Sequence, residues 1–245
     1  MAAMSLFVGT SGYNYPEWRG SFYPEKFPTS KMLPYYAERF NTVEVNYTFY
    51  RMPTAALLEG WSGQTPEAFT FTLKAPRRIT QDSKLRRCEE LTQIFCRTAR
   101  TLGPKLGVLL FQLPPTFKRD DSVLEEFLEL LPDGTRAAFE FRHDSWHEDA
   151  VFDLLRARNI ALCIADSEKM STPLEITADY TYFRLRDEGY QPADIERWAN
   201  AVREKSGDRD AFVYFKHEEE GKGPAFARLL IEALTAKSTI ARSAQ

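Results

Sequence analysis

Eight short runs of strand character recur along the chain, and the stretches between them read as helices. Few folds accept that alternation. The runs are residues 6–10, 42–47, 69–74, 107–113, 137–142, 160–166, 180–186 and 211–216. Each is rich in β-branched or aromatic residues, or continuously apolar, as a parallel strand covered on both faces must be. Helical spacing fills the gaps at 30–40, 54–61, 83–102, 121–131, 148–158, 192–205 and 224–236. One unit is irregular: 167–179 contains Pro173 and has no apolar stripe, so a loop is expected there in place of a helix.

Regular β-α alternation over eight strands predicts an α/β fold, a single TIM-type (β/α)8 barrel, because crossovers are right-handed and both faces of a parallel sheet need cover. At 245 residues the chain has the length of one such domain, with a core expected over about 5–236. An open doubly wound sheet is the competitor. Its dinucleotide signature, Gly-x-Gly-x-x-Gly after the first strand, is missing, since Gly9-Thr10-Ser11-Gly12 has the wrong spacing.

Side chains alternate across a strand, so parity sorts each run into two faces. The second run sets Val43, Val45 and Tyr47 against Glu44 and Asn46. The third sets Phe69, Phe71 and Leu73 against Thr70, Thr72 and Lys74, and the fifth sets Phe139 and Phe141 against Ala138, Glu140 and Arg142. Gln112 closes the fourth run, Asp166 the sixth, Arg184 and Arg186 the seventh, and Lys216 with His217 the eighth. The apolar parity should meet the helices, which turns the polar parity inward. The polar residues also gather toward the C-terminal ends of the strands, where barrel active sites are built.

Those residues carry a chemistry. Glu44 and Glu140 form a candidate acid–base pair, with Asp166 as a third carboxylate. Lys74, Arg142, Arg184, Arg186 and Lys216 outnumber them, which points to an anionic, phosphorylated or sugar-like small molecule. Asn46, Gln112 and His143 complete the expected contacts. The aromatic loop after the first strand supplies Tyr13 and Trp18, and residues 13–27 are the candidate lid. A hydrolase, lyase or isomerase would use such a set.

Two other chemistries use the same residues. Glu44, Glu140, Asp166 and His143 or His217 could ligate a divalent metal, but no His-x-x-x-His pair is present and the neighbouring cations oppose one, so no cofactor is expected. Nucleic acid is the alternative partner, held by Arg77, Arg78, Lys84, Arg86 and Arg87 with Tyr13, Tyr15, Trp18, Phe22 and Tyr23 as stacking surfaces. A metal-dependent phosphodiester-cleaving protein would combine the two. The net charge of −3 supplies no general attraction to a polyanion. Nucleophilic catalysis is disfavoured. Ser11 is not in a Gly-x-Ser-x-Gly elbow, and Cys163 is expected on the helix-facing side of its strand.

Cys88, Cys96 and Cys163 are odd in number and sit in apolar segments, so they read as reduced core thiols. With no signal-like start and no apolar run near 20 residues, a cytoplasmic chain without membrane contact is expected.

Several of these segments together resemble the domain-of-unknown-function 72 family of YecE-like barrels. They are Gly9 to Tyr13 with Trp18, Phe40 to Asn46 with Thr48-Phe49-Tyr50, and Phe71 to Pro76. Gln112-Leu113-Pro114, Glu140 to His143 with Ser145-Trp146, and Ile164-Ala165-Asp166 continue the likeness, which runs from about Phe7 to about Leu230. The resemblance implies a TIM barrel with a site at the strand ends. It brings no established activity.

Overall fold

The computed structural model describes residues 5–167 and 170–242. Eight parallel strands form a nearly closed barrel in the order β1 (Leu6–Thr10), β9 (Asp210–Phe215), β8 (Tyr180–Leu185), β6 (Ala161–Ser167), β5 (Ala137–Glu140), β4 (Leu106–Gln112), β3 (Thr70–Lys74) and β2 (Thr42–Val45). The irregular segment holds no helix among its described residues. There, β7 (Met170–Ser171) turns back antiparallel onto the end of β6.

The outer layer is α1 (Met32–Ala37), α2 (Tyr47–Tyr50), α3 (Ala55–Ser62), α4 (Glu89–Ala99), α5 (Asp121–Glu129), α6 (Asp149–Ala157), α7 (Pro192–Ser206) and α8 (Lys222–Arg242). Local chemistry sets several starts. Thr54 accepts from Leu57 N–H at 3.3 Å, and Asp120 from Val123 N–H at 3.3 Å. Gln191 and Asp194 close a reciprocal capping box on α7. The helix expected from Ser83 begins only at Glu89, because Lys84, Leu85 and Arg87 take positive φ. Leu85 and Cys88 are nonetheless buried, which explains the apolar stripe that reads as an earlier helix.

Inside the barrel, side chains stack in levels. Phe7 lies on Phe212 with centroids 4.6 Å apart near the base. Above them the Tyr214 hydroxyl sits between the hydroxyls of Thr42 (2.8 Å) and Thr72 (2.7 Å). Charged groups occupy the upper level. The inward parity is therefore aromatic below and polar above, while Val43, Phe71, Leu109, Phe111, Phe139 and Phe183 belong to the core cluster shared with the helices.

The ring closes between β1 and β2 largely by side chains. Asn41 Oδ1 accepts from Val8 N–H (3.3 Å), and its Nδ2 donates to the Leu6 carbonyl (2.7 Å). The Tyr36 hydroxyl accepts from Thr10 N–H (2.8 Å) and donates to the Thr42 carbonyl (3.1 Å). At the top Ser11 and Glu44 form a parallel bridge, with Gly12 N–H donating to the Glu44 carbonyl at 2.7 Å. The Tyr36 hydroxyl fits because residue 9 is glycine: a Cβ there would meet the Thr42 carbonyl oxygen at 2.2 Å and the Tyr36 hydroxyl at 2.8 Å. Gly9→Ala is expected to cost about 1–3 kcal/mol, the usual penalty of overpacking. Urea denaturation reads it, and an unchanged midpoint would mean the seam yields freely.

Candidate active site

The upper level of the barrel is organised around Arg184. It projects inward from β8, is fully buried, and binds two carboxylates from opposite walls. Its Nε donates to Glu44 Oε1 (3.0 Å) and Oε2 (3.1 Å), and its Nη1 donates to Glu140 Oε2 (3.2 Å). Nη2 reaches Ser11 Oγ at 3.2 Å. Burial works against this guanidinium's charge, but Glu44 and Glu140 outweigh it and hold it protonated.

Glu44 has no exposure. Besides Arg184, it accepts from the Ser11 hydroxyl and, at 2.5 Å, from the Tyr182 hydroxyl. Asn46 Nδ2 donates in turn to Ser11 Oγ at 2.8 Å. Glu44 is thus enclosed by donors and acts as the anchor of Arg184. Glu140 is also buried but borders a cavity. Gln112 Nε2 donates to both of its oxygens at 2.8 Å. Burial alone would raise its pKa. Arg184, Lys74, Gln112 and Arg142 together prevail and hold the carboxyl below the ordinary range. It is an ionised group, fit to accept a proton.

The cavity, of about 900 Å³, opens at the C-terminal ends of β5, β6 and β8 and is lined by Glu140, Arg142, His143, Ala165, Arg186 and Asp187 among others. Arg142 Nε and Arg186 Nη1 each approach Glu140 Oε1 only to 3.9 Å. That is too long for a charge-assisted hydrogen bond, which runs near 2.7–2.9 Å. Among the described residues neither guanidinium makes a hydrogen bond. Both are partly exposed, with side chains 33% and 26% accessible. His143 Nδ1 accepts from Ser145 N–H at 3.2 Å, so a neutral ring carries its proton on Nε2.

Lys74 ends β3 on the inward face and is 7% exposed. Its Nζ lies over the Phe49 ring, 4.1 Å from the centroid, with no carboxylate within 4 Å among the described residues. The Thr48 hydroxyl donates to the Lys74 carbonyl (2.7 Å) and so ties α2, which carries Phe49, to the end of β3. The ring face helps an ammonium by about 0.5–1 kcal/mol. Burial and the positive charge of Arg184 outweigh that help and the pull of Glu140 and Glu44, and the amine falls to a pKa of about 7.

Other expected residues lie elsewhere. Asp166 is not on the inward face, because parity gives that face to Cys163 and Ala165. Its Oδ2 accepts from the Tyr190 hydroxyl at 2.7 Å. Cys163 is correspondingly interior rather than helix-facing, and burial pushes its thiol well up. Lys216 stands at the rim, paired with Glu218 at 2.9 Å. His217, on the opposite face, contacts the Asp187 carbonyl at 2.7 Å.

Trp18 is fully buried, packed on Tyr15, Phe22 and Tyr23, and Phe22 packs in turn on Tyr35, Tyr36 and Phe40. The aromatic content that reads as a lid is used in docking the loop onto α1. Tyr13 is half-buried beside Asn46 in a separate hollow of about 250 Å³. Of the basic residues after β3, Arg77 pairs with Asp82 (3.0 Å) and Arg86 with Asp120 (2.6 Å). Ser11 and Tyr182 belong to the cluster although neither is singled out from sequence as part of the site. Tyr182 lies two residues before Arg184, a parity signal that was available. Among the described residues no three His, Cys, Asp or Glu side chains group to hold a metal ion, and both central glutamates embrace a guanidinium.

A parallel barrel carrying a buried Glu–Arg–Glu cluster beneath an arginine-lined cavity is a TIM-type barrel protein with its polar site at the strand C-termini. The chain belongs to the DUF72 family: residues 7–245 match the family described as "Protein of unknown function DUF72". It is 33% identical over 168 residues to UPF0759 protein YecE of Escherichia coli K12, a stretch covering 66% of this chain and 59% of YecE. Among solved structures it is similar to the DUF72 family protein TM1631 of Thermotoga maritima (27% identity, TM-score 0.85, covering 94% of this chain and 99% of that one). The Enterococcus faecalis DUF72 protein EF0366 shares the fold at 20% identity and a TM-score of 0.78, over 96% and 98% of the two chains. No helix among the described residues is long and apolar enough to cross a membrane.

Proposed function

We propose that this protein is an acid–base enzyme, of lyase, isomerase or hydrolase type, acting on a small molecule that carries a carboxylate or phosphate. The observation that carries this reading is the pair Arg142 and Arg186. Two partly exposed guanidinium groups face one cavity with their hydrogen-bonding capacity unfilled by the described residues. A planar fork of N–H donors is suited to carboxylate or phosphate oxygens. Glu140, ionised on the same wall, is placed to take a proton from a substrate held by that pair. Glu44, Ser11, Tyr182 and Gln112 keep Arg184 and Glu140 in position rather than touching substrate. Arg186 takes the share of anion binding expected of Lys74, whose charge is half lost near neutrality.

The test is binding of inorganic phosphate and sulfate, followed by calorimetry or thermal shift at constant ionic strength. Each charge-assisted contact contributes about 1.5–3 kcal/mol. Arg142→Ala and Arg186→Ala should therefore each weaken binding roughly tenfold to a hundredfold, and the double variant should abolish it. Equal binding by the double variant would remove the anion site.

A further inference from the structure

We infer that Lys74 is a nucleophilic amine that condenses with a carbonyl group, so that the substrate is an aldehyde or ketone bearing the anionic group held by Arg142 and Arg186. This rests on the anion site proposed above, to which Lys74 is linked through Glu140, a carboxylate that lines the cavity and feels the charge of the amine. Three structural features converge. The Nζ is nearly enclosed at the C-terminal end of a barrel strand, and among the described residues it has no carboxylate partner to hold it as an ammonium. An apolar ring lies under it instead, fixed by the Thr48 bond between α2 and β3. Burial comes first, and with Arg184 on β8 and Lys216 beyond β9 it prevails over Glu140 on β5 and Glu44 on β2, which favour the charged amine. A lysine that only bound an anion would be better served by an open, fully charged position. Desolvation beside other cations is the environment that frees an amine near pH 7.

The step balances with one proton drawn from solvent. The Nζ lone pair forms a bond to the carbonyl carbon while the C=O π electrons move to oxygen. A proton passes from nitrogen to that oxygen, giving a carbinolamine. A proton taken up from solvent by its hydroxyl then lets the C–O bond break, water leaves, and the nitrogen lone pair closes the C=N bond of an iminium, one proton being consumed overall. The iminium draws electrons from the adjacent carbon, whose proton Glu140 is placed to accept.

The experiment uses the whole protein with three probes: pyruvate, dihydroxyacetone phosphate and uncharged dihydroxyacetone. Each is incubated with sodium borohydride, which delivers hydride to an iminium carbon and fixes it as a secondary amine. Intact mass and peptide mapping then locate the adduct. At pH 7 Lys74 is expected to be labelled about tenfold faster than any other lysine. Its labelling should level off above pH 7, and Lys74→Arg should lose it. Pyruvate and the phosphate distinguish a carboxylate from a phosphate as the preferred anion.

Labelling spread evenly over lysines, or absent from Lys74 in the wild-type peptide map, overturns the inference even if Lys74→Arg folds poorly. The two readings fail separately. If phosphate binds and depends on Arg142 and Arg186 but no adduct forms, only the amine role is lost. If neither pyruvate nor dihydroxyacetone phosphate labels Lys74 faster than uncharged dihydroxyacetone does, the amine role stands and the anion site falls.

Discussion

Arg184→Met is expected to destabilise the folded protein by about 3–5 kcal/mol, the usual cost of stripping one partner from a buried ion pair. For a chain of this size that corresponds to a fall in Tm of roughly 6–20 °C. The reason is geometric. Arg184 is the guanidinium bonded to both Glu44 and Glu140, and its loss leaves two desolvated carboxylates facing each other. Glu44→Gln in the Arg184→Met background should recover part of the loss by removing one of them.

The acid side follows the same logic. The folded pKa of Glu140 is depressed, so its contribution is present above the ordinary carboxylate pKa and lost as pH falls through the lower folded value. Wild-type stability should therefore decline as pH falls from the ordinary carboxylate range toward that lower value. In Arg184→Met that dependence should shrink or reverse, because protonating the stranded Glu140 relieves an unpaired buried charge. Denaturation midpoints across pH measure both, and an Arg184→Met protein as stable as wild type would show that the cluster does not depend on its central cation.

Glu140→Gln is expected to lower turnover by roughly 10²–10⁴-fold, the range a positioned proton-transfer group supplies, with substrate affinity little changed because Arg142 and Arg186 are untouched. Its fold should suffer less than in Arg184→Met, since a glutamine oxygen can still accept from Arg184 Nη1 and Glu44 still holds Nε. The assay is product formation from a substrate identified by screening phosphorylated and carboxylated metabolites. A wild-type rate would remove Glu140 from the chemistry. A raised KM with unchanged kcat would make it a binding group instead.

The barrel was legible because its strands announce themselves twice, by β-rich composition and by two-residue parity. Glu44, Lys74, Gln112, Glu140 and Arg184 do converge, since each sits on the inward parity near the end of its strand. Asp166 escapes the pattern because it sits at a strand end on the outward parity, and the same alternation turns Cys163 inward. Depth was not legible. Sequence puts Arg184 beside Arg142 and Arg186 as equals, yet the first is sealed under the cavity and the others line it, a difference set by the side chains above each one. Trp18 shows the converse: it packs on Tyr15, Phe22 and Tyr23 of its own loop, and Phe22 carries that stack onto Tyr35 and Tyr36 of α1, contacts that no local pattern marks. The late start of α4 depends on three positive-φ residues that no glycine marks.

The closure between β1 and β2 has a consequence for how the barrel breathes. Asn41 and Tyr36 span that joint largely with side-chain bonds, whereas β1 and β2 are each held on their other side by a continuous backbone ladder. Subglobal opening is cheapest where the fewest backbone bonds must break. Amides of Val8 and Thr10 on β1 should therefore trade hydrogen with solvent ahead of those on β4 and β5. Ser11 and Glu44 sit astride the upper end of the same joint. The groups that steady Arg184 thus double as the latch on the barrel's loosest edge.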